Sequence, residues 1–201
     1  MTTASVFHPR GVLTVAGACF VALTAAVVAL GAFPADAAVR DSLLALATPA
    51  VLAVMRIVNR AGDWRVLLPG TILLFVVFRR ARAHWWLWLM VMASAPVLEG
   101  ILKYLVGRAR PEDPSLGFPS GHSTAAAAFF GAVIFLADEL PARASAAVRV
   151  LAVAMILLVG MARVILRAHW PSDVLAGIAL GLALAAAAGW VASTHRPPEV
   201  G

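Results

Sequence analysis

The chain has 201 residues, 62% of them hydrophobic, with a mean hydropathy of +0.92 and a formal net charge of +6. Soluble domains carry about 45–50% apolar residues, so this surplus excludes an ordinary soluble core and points to an integral membrane protein. The 16 Lys and Arg residues are scattered between apolar runs without a basic face, which argues against nucleic acid and leaves anionic lipid or an anionic substrate.

Residues 12–33 follow Arg10 and read as an uncleaved first span. Ala35-Asp36-Ala37 loosely resembles a cleavage site, but the apolar stretch is longer than the roughly 7–15 residues of a signal core. Residues 43–55 and 66–78 are apolar runs of 13 residues each, short for a bilayer span. Pro49 interrupts the first, which reads as a helix at the surface or packed on the bundle. The second is framed by Trp64-Arg65 and Arg79-Arg80, whose interfacial and snorkelling side chains lengthen a short span. Residues 85–106 form a span with a Trp-rich entry and one acidic residue, Glu99, the only charge placed deep. A loop at 107–119 follows, then spans over 120–137, 148–161 and 172–192. No tandem repeat or low-complexity linker divides the chain. The expected fold is all-α: one integral membrane domain over residues 1–201, with about six transmembrane helices and short surface helices between the first two spans. The single cysteine, Cys19, has no intrachain partner.

Arg79, Arg80, Arg82, Arg143, Arg149, Arg196 and Arg10 fall on one side of a six-span chain, which the positive-inside rule makes cytoplasmic. Were residues 43–55 to cross as well, Arg10 would change sides. The polar clusters face away from the cytoplasm in either count.

Those clusters are the unusual feature of an otherwise hydrocarbon chain, because intramembrane charge is costly and commonly functional. Lys103 and Arg110 lie two helical turns apart, unless Gly107 and Pro111 end the helix and leave Arg110 on a loop. Pro119-Ser120-Gly121-His122 opens an apolar helix. Ser120 is either a plain N-cap or part of an anion site, since unpaired amides and the helix dipole favour an anion there. Gly121 allows close backbone approach and His122 sits in the first turn. His169 and Asp173 stand four apart around Pro171, a first-turn proline. A carboxylate on one imidazole nitrogen fixes the tautomer and sharpens the other as a nucleophile or base. Arg163 ends the preceding span near the same mouth. Arg108 and Arg167 either widen the positive field or anchor headgroups, and Glu112 and Asp113 read as solvated loop carboxylates.

Lys103, Arg110-Pro111, Pro119-Ser120-Gly121-His122 and Arg163, His169, Asp173 together resemble the three signature motifs of the type-2 phosphatidic acid phosphatase superfamily, which includes lipid phosphate phosphatases and vanadium haloperoxidases. Six residues separate Lys103 from Arg110, five separate Arg163 from His169 and three separate His169 from Asp173, as in that family. One position departs: Ala162 stands where the family's third motif usually has serine, which removes one supporting hydroxyl. The resemblance implies a phosphohydrolase that uses no metal and no cofactor. His169 would attack phosphorus, Asp173 orient it, and His122 protonate the leaving oxygen. Lys103, Arg110, Arg163, Ser120 and Gly121 would bind the phosphoryl oxygens.

The implied substrate is a lipid phosphate in the bilayer, such as undecaprenyl diphosphate, phosphatidic acid or phosphatidylglycerol phosphate. The implied location is a bacterial inner membrane, with the site facing the periplasm or cell exterior. Two other readings stand beside this one. A haloperoxidase would hold vanadate in the same pocket, although such members are typically soluble. A transporter or scaffold would place its charges near mid-bilayer on broken helices. Gly177 and Gly181 read as a helix-packing step, with a homodimer seam as their other use.

Overall fold

The apolar runs fold as helices because hydrocarbon offers no partner for an unpaired backbone N–H or C=O. The computed structural model describes residues 8–31 and 33–194. Among these residues the order is α1 (Pro9–Leu30), α2 (Pro34–Leu44), α3 (Pro49–Asn59), α4 (Trp64–Val77), α5 (Arg79–Ala83), α6 (Trp85–Val106), α7 (Gly121–Leu136), α8 (Ala142–Ile165) and α9 (Pro171–Thr194), with 3-10 turns at Arg60–Gly62 and Ala137–Glu139. Proline opens α1, α2, α3 and α9, where its missing N–H leaves no helical bond unmade. Gly107, in the left-handed conformation at φ 67°, closes α6.

Five helices, α1, α6, the α7 segment, α8 and α9, are long and apolar enough to cross a membrane. The sixth traversal is α4. It starts beside the N-terminus of α7, where Gly62 abuts His122, and Gly70 meets Phe129 half-way along. It ends where Glu139, beyond α7, accepts hydrogen bonds from the Arg79 and Arg80 amides, each 2.8 Å. Its 14 residues span only ~21 Å, so Trp64 and Arg65 at one end and Arg79, Arg80 and Arg82 at the other must bridge the remaining depth.

The run at 43–55 does not cross. It is broken between α2 and α3, which meet at 114°. Both ends of this bent pair lie on one face of the bundle: Asp36 bonds Ser172 at the start of α9, and Asn59 bonds Arg163 near the end of α8. Met55 on α3 packs with Ala162 and Ile165 of α8, which closes the bend onto the bundle. Arg10 accordingly stays at the far end, stacked 4.8 Å over Trp190 near the end of α9. Arg79, Arg80, Arg82, Arg143 and Arg149 share that end, and Arg196 lies outside the described residues.

Helix α7 is the axis of the bundle, in contact with α4, α6, α8 and α9. Its closest neighbour is α9, because Gly177 and Gly181 let the backbones approach. A Cβ on Gly177 would stand 2.6 Å from the Ser120 carbonyl, and one on Gly181 2.3 Å from the Thr124 carbonyl. The small-residue step is thus consumed within the chain, so it is not a dimer seam. Because Gly177 bears on Ser120, the same packing fixes the start of α7 against the first turns of α9.

Candidate active site

Every polar cluster predicted from the sequence arrives at one end of the bundle. Helix α6 delivers Lys103 in its last turn, ion-paired with Glu99 one turn earlier. Glu99 is not deep in the span. Its carboxylate stands against the start of α7, where a Cβ on Gly121 would lie 2.7 Å from Oε1. Only glycine admits an anion at that distance, and the helix dipole favours one there.

Gly107 breaks the helix, so Arg110 sits on the loop rather than on the face of Lys103. The loop closes on itself through Gly117 N–H donating to the Arg108 carbonyl at 2.7 Å and Arg110 N–H to the Ser115 carbonyl at 3.1 Å. This fold-back turns Arg110 toward α9: a Cβ on Gly117 would lie 3.1 Å from both Arg110 Cγ and Asp173 Oδ2.

Ser120 is the N-cap residue of α7, yet its side chain makes no capping hydrogen bond. Its hydroxyl accepts instead from Ser123 Oγ at 3.0 Å. The Ser120 amide donates to the Asp173 carbonyl at 2.9 Å, which ties the second motif to the third. His122, half-buried in the first turn, has Arg163, Asp63, His169 and Lys103 as its electrostatic neighbours.

Helix α8 ends just after Arg163, whose Nη1 donates to Asn59 Oδ1 at 2.9 Å. Ala162, in place of the usual serine, is fully buried in the apolar contact with Met55 on α3. Arg167, at φ 61°, takes a left-handed turn that carries the chain to His169. His169 is buried with Nδ1 3.5 Å from Asp173 Oδ2, short of a formed hydrogen bond. Apo catalytic contacts are often this long and tighten on substrate. Burial holds the His169 imidazole below its ordinary pKa; Asp173 opposes this, while Arg163 and Arg110 push in the same direction as burial.

Four participants were not readable as such from the sequence. Arg108 is no headgroup anchor: it is buried, with Nη1 2.7 Å from Asp173 Oδ1 and Nη2 2.6 Å from Asp36 Oδ2. Asp36, Ser172 and Asn59 complete the set, the first and last from helices that lie outside all three motifs. Asp36 was masked as the centre of a cleavage-like triplet, and Asn59 carried no pattern at all. Glu112 is an exposed carboxylate of the 107–119 loop, as read from the sequence, and it pairs there with Arg40 of α2 and with Arg167. Among the described residues no three His, Cys, Asp or Glu side chains group as metal ligands.

A buried His–Asp pair beside convergent cations and a helix start, at one end of a helical membrane bundle, is equipment for handling a phosphoryl group. A family model described as the PAP2 superfamily matches residues 83–197, and the chain belongs to that superfamily. Phosphatidylglycerophosphatase B of Bacillus subtilis is 31% identical over 176 residues, covering 82% of this chain and 87% of the relative. Decaprenylphosphoryl-5-phosphoribose phosphatase of Mycobacterium tuberculosis is 34% identical over 159 residues, covering 69% of this chain and 78% of the relative. The crystal structure of a transmembrane PAP2-type phosphatidylglycerolphosphate phosphatase from Bacillus subtilis matches with a TM-score of 0.74 at 25% identity, over 96% of this chain and all of that one. The protein is an integral membrane enzyme of the lipid phosphate phosphatase branch.

Proposed function

We propose that the enzyme hydrolyses a phosphomonoester or diphosphate on a membrane lipid through a covalent phosphohistidine on His169. The observation that carries this reading is the meeting of His169 and Asp173 with Lys103, Arg110, Arg163 and the start of α7 at one membrane face. The lipid tail stays in the bilayer while its phosphate reaches the pocket from the interface. Undecaprenyl diphosphate, phosphatidic acid and phosphatidylglycerol phosphate all present that geometry.

In the first step the free Nε2 of His169 forms a bond to phosphorus and the bond from phosphorus to the leaving oxygen breaks. His122 gives that oxygen a proton. Asp173 faces Nδ1 and offsets the positive charge that grows on the ring. Charge spread over the equatorial oxygens is met by Lys103, Arg110, Arg163, the Ser120 hydroxyl and the Gly121 amide. In the second step water attacks phosphorus, His122 accepts its proton, the P–N bond breaks and inorganic phosphate leaves. Asp36 and Asn59 come from the first helices and complete the site, which supports reading residues 1–201 as one domain. Arginines gathered at the opposite end support a periplasmic or exterior site in a bacterial inner membrane.

Because His169 attacks only when neutral, and burial disfavours its charged form, it remains a nucleophile further into acid than an ordinary histidine. The acid limb of the kcat/KM profile is therefore expected below about pH 6.5. A limb well above that value would contradict the assignment. The substrate class is tested by phosphate release in detergent, with excess EDTA, over a panel of lipid monophosphates and diphosphates. Turnover of at least one lipid phosphate is expected, unaffected by the chelator; release from none of them would sink the reading.

A further inference from the structure

Asp36 lies outside the 83–197 segment that the family model matches, yet it reaches the catalytic carboxylate through one buried arginine. Asp36 is 3% exposed, Arg108 8%, Ser172 4% and Asp173 0%. Arg108 Nη2 donates to Asp36 Oδ2 at 2.6 Å, while Nη1 donates to Asp173 Oδ1 at 2.7 Å and to Ser172 Oγ at 2.6 Å. Asp36 also accepts from the Ser172 amide at 2.8 Å and from its hydroxyl at 2.6 Å. Every oxygen of the Asp36 carboxylate is thus used, and all of it on the start of α9 and its arginine. Three charges taken out of water are costly unless each is paired and hydrogen-bonded. The planar fork of arginine can hold two carboxylates at once, which a lysine ammonium cannot reproduce.

The consequence falls on Asp173. Arg108 pins Oδ1, and the Trp170 amide holds Oδ2 at 3.1 Å, so Oδ2 is left facing His169 Nδ1. The cluster carries two carboxylates and one guanidinium, a net charge of −1 beside the ring that becomes positive during attack. Without Asp36 it would be neutral, and Asp173 would be the one carboxylate left to Arg108.

We propose that Asp36, acting through Arg108 and Ser172, is a positioning residue for the reaction, which orients Asp173 and keeps a net negative charge behind His169. This rests on the phosphohistidine reading above. The other charged groups around His169 are Arg163 from α8, Arg110 from the loop and His122 from α7, and the variants below leave all three in place.

Asp36→Asn keeps the shape and removes the charge. Its kcat is expected to fall on the order of 10- to 100-fold, as for a small misplacement of a catalytic group. KM, and inhibition by inorganic phosphate, should hold within about threefold, since the cations that bind phosphate are untouched. The acid limb of kcat/KM should move to lower pH in Asp36→Asn, which loses an anion behind His169. It should move to higher pH in Arg108→Gln, which loses a cation. Ser172→Ala, which deletes only a hydroxyl from the network, should lose less kcat than Asp36→Asn, and it carries the test if the charge variants do not accumulate folded in detergent. Wild-type kcat in Asp36→Asn, or in Ser172→Ala when it stands in, would overturn the proposal. So would acid limbs that shift in the same direction, or phosphate affinity lost together with kcat. His169→Ala assayed in parallel separates the two levels: if it stays active the phosphohistidine reading fails, whereas an inactive His169→Ala beside a fully active Asp36→Asn refutes this inference alone.

Discussion

His169→Ala is expected to lower phosphate release from any lipid phosphate by a factor on the order of 10⁴ or more. The size follows from its role. The imidazole forms the bond to phosphorus and is the ring that Asp173 faces, while the nearby buried hydroxyls of Ser120 and Ser172 are hydrogen-bonded to Ser123 and Asp36. The cations and the start of α7 remain in the variant, so binding should survive. KM, or inhibition by orthovanadate as a phosphate mimic, is expected to stay near the wild-type value while kcat collapses. His169 is also a buried side chain packed at the entrance of α9, so a thermal melt in detergent belongs beside the assay. A folded His169→Ala with near-normal release would remove the central role from this residue.

The second large effect is one of contrast. His122→Ala should cost on the order of 10²–10⁴ in kcat with a lipid phosphate, because an alkoxide leaves poorly without a proton. With p-nitrophenyl phosphate the loss should be far smaller, since nitrophenolate departs unprotonated. The placement of His122 supports this division of labour. It stands in the first turn of α7 across from His169, with the Gly62 turn pressed on its backbone at an ideal Cβ separation of 2.8 Å. Equal losses with both substrates would assign His122 to binding rather than to proton donation.

Much of the site was legible because motif residues carry position as well as type. Pro171, Gly107 and Ser120 mark helix ends by elementary backbone chemistry, and α9, α6 and α7 begin or end there. Those helix ends put His169, Asp173, Lys103, Arg110 and His122 at one membrane face by sequence alone. Span lengths were less legible. Residues 148–161 belong to a 24-residue helix, Ala142–Ile165, because polar Arg143, Ser145 and Arg149 extend a helix that hydropathy alone cuts short. Residues 43–55 hid a sharp bend, which the contact of Met55 with α8 stabilises. Long-range pairing was not legible at all. Asp36 and Ser172 are 136 residues apart, and Asn59 and Arg163 are 104 apart, so neither bond leaves a periodic trace. Arg108 looked like one more interfacial arginine because sequence shows its charge but not the two carboxylates that bury it.

The charge distribution also bears on the transporter reading. Transport sites gather charge near mid-bilayer on interrupted helices. Here Glu99, the one acidic residue within α6, stands at the site end beside Lys103 and Gly121. The prolines inside α4 and α6, Pro69 and Pro96, leave both helices continuous.

The most direct measurement is rapid acid-free quenching of the enzyme during turnover of a lipid phosphate labelled with ³²P, followed by peptide mapping. Label is expected on the peptide that contains His169, stable to base and lost in acid as a phosphoramidate should be, and absent from His169→Ala. Label on another residue, or steady turnover with no phosphoenzyme detected at any quench time in wild type and in a variant slowed at its second step, would contradict the phosphohistidine reading.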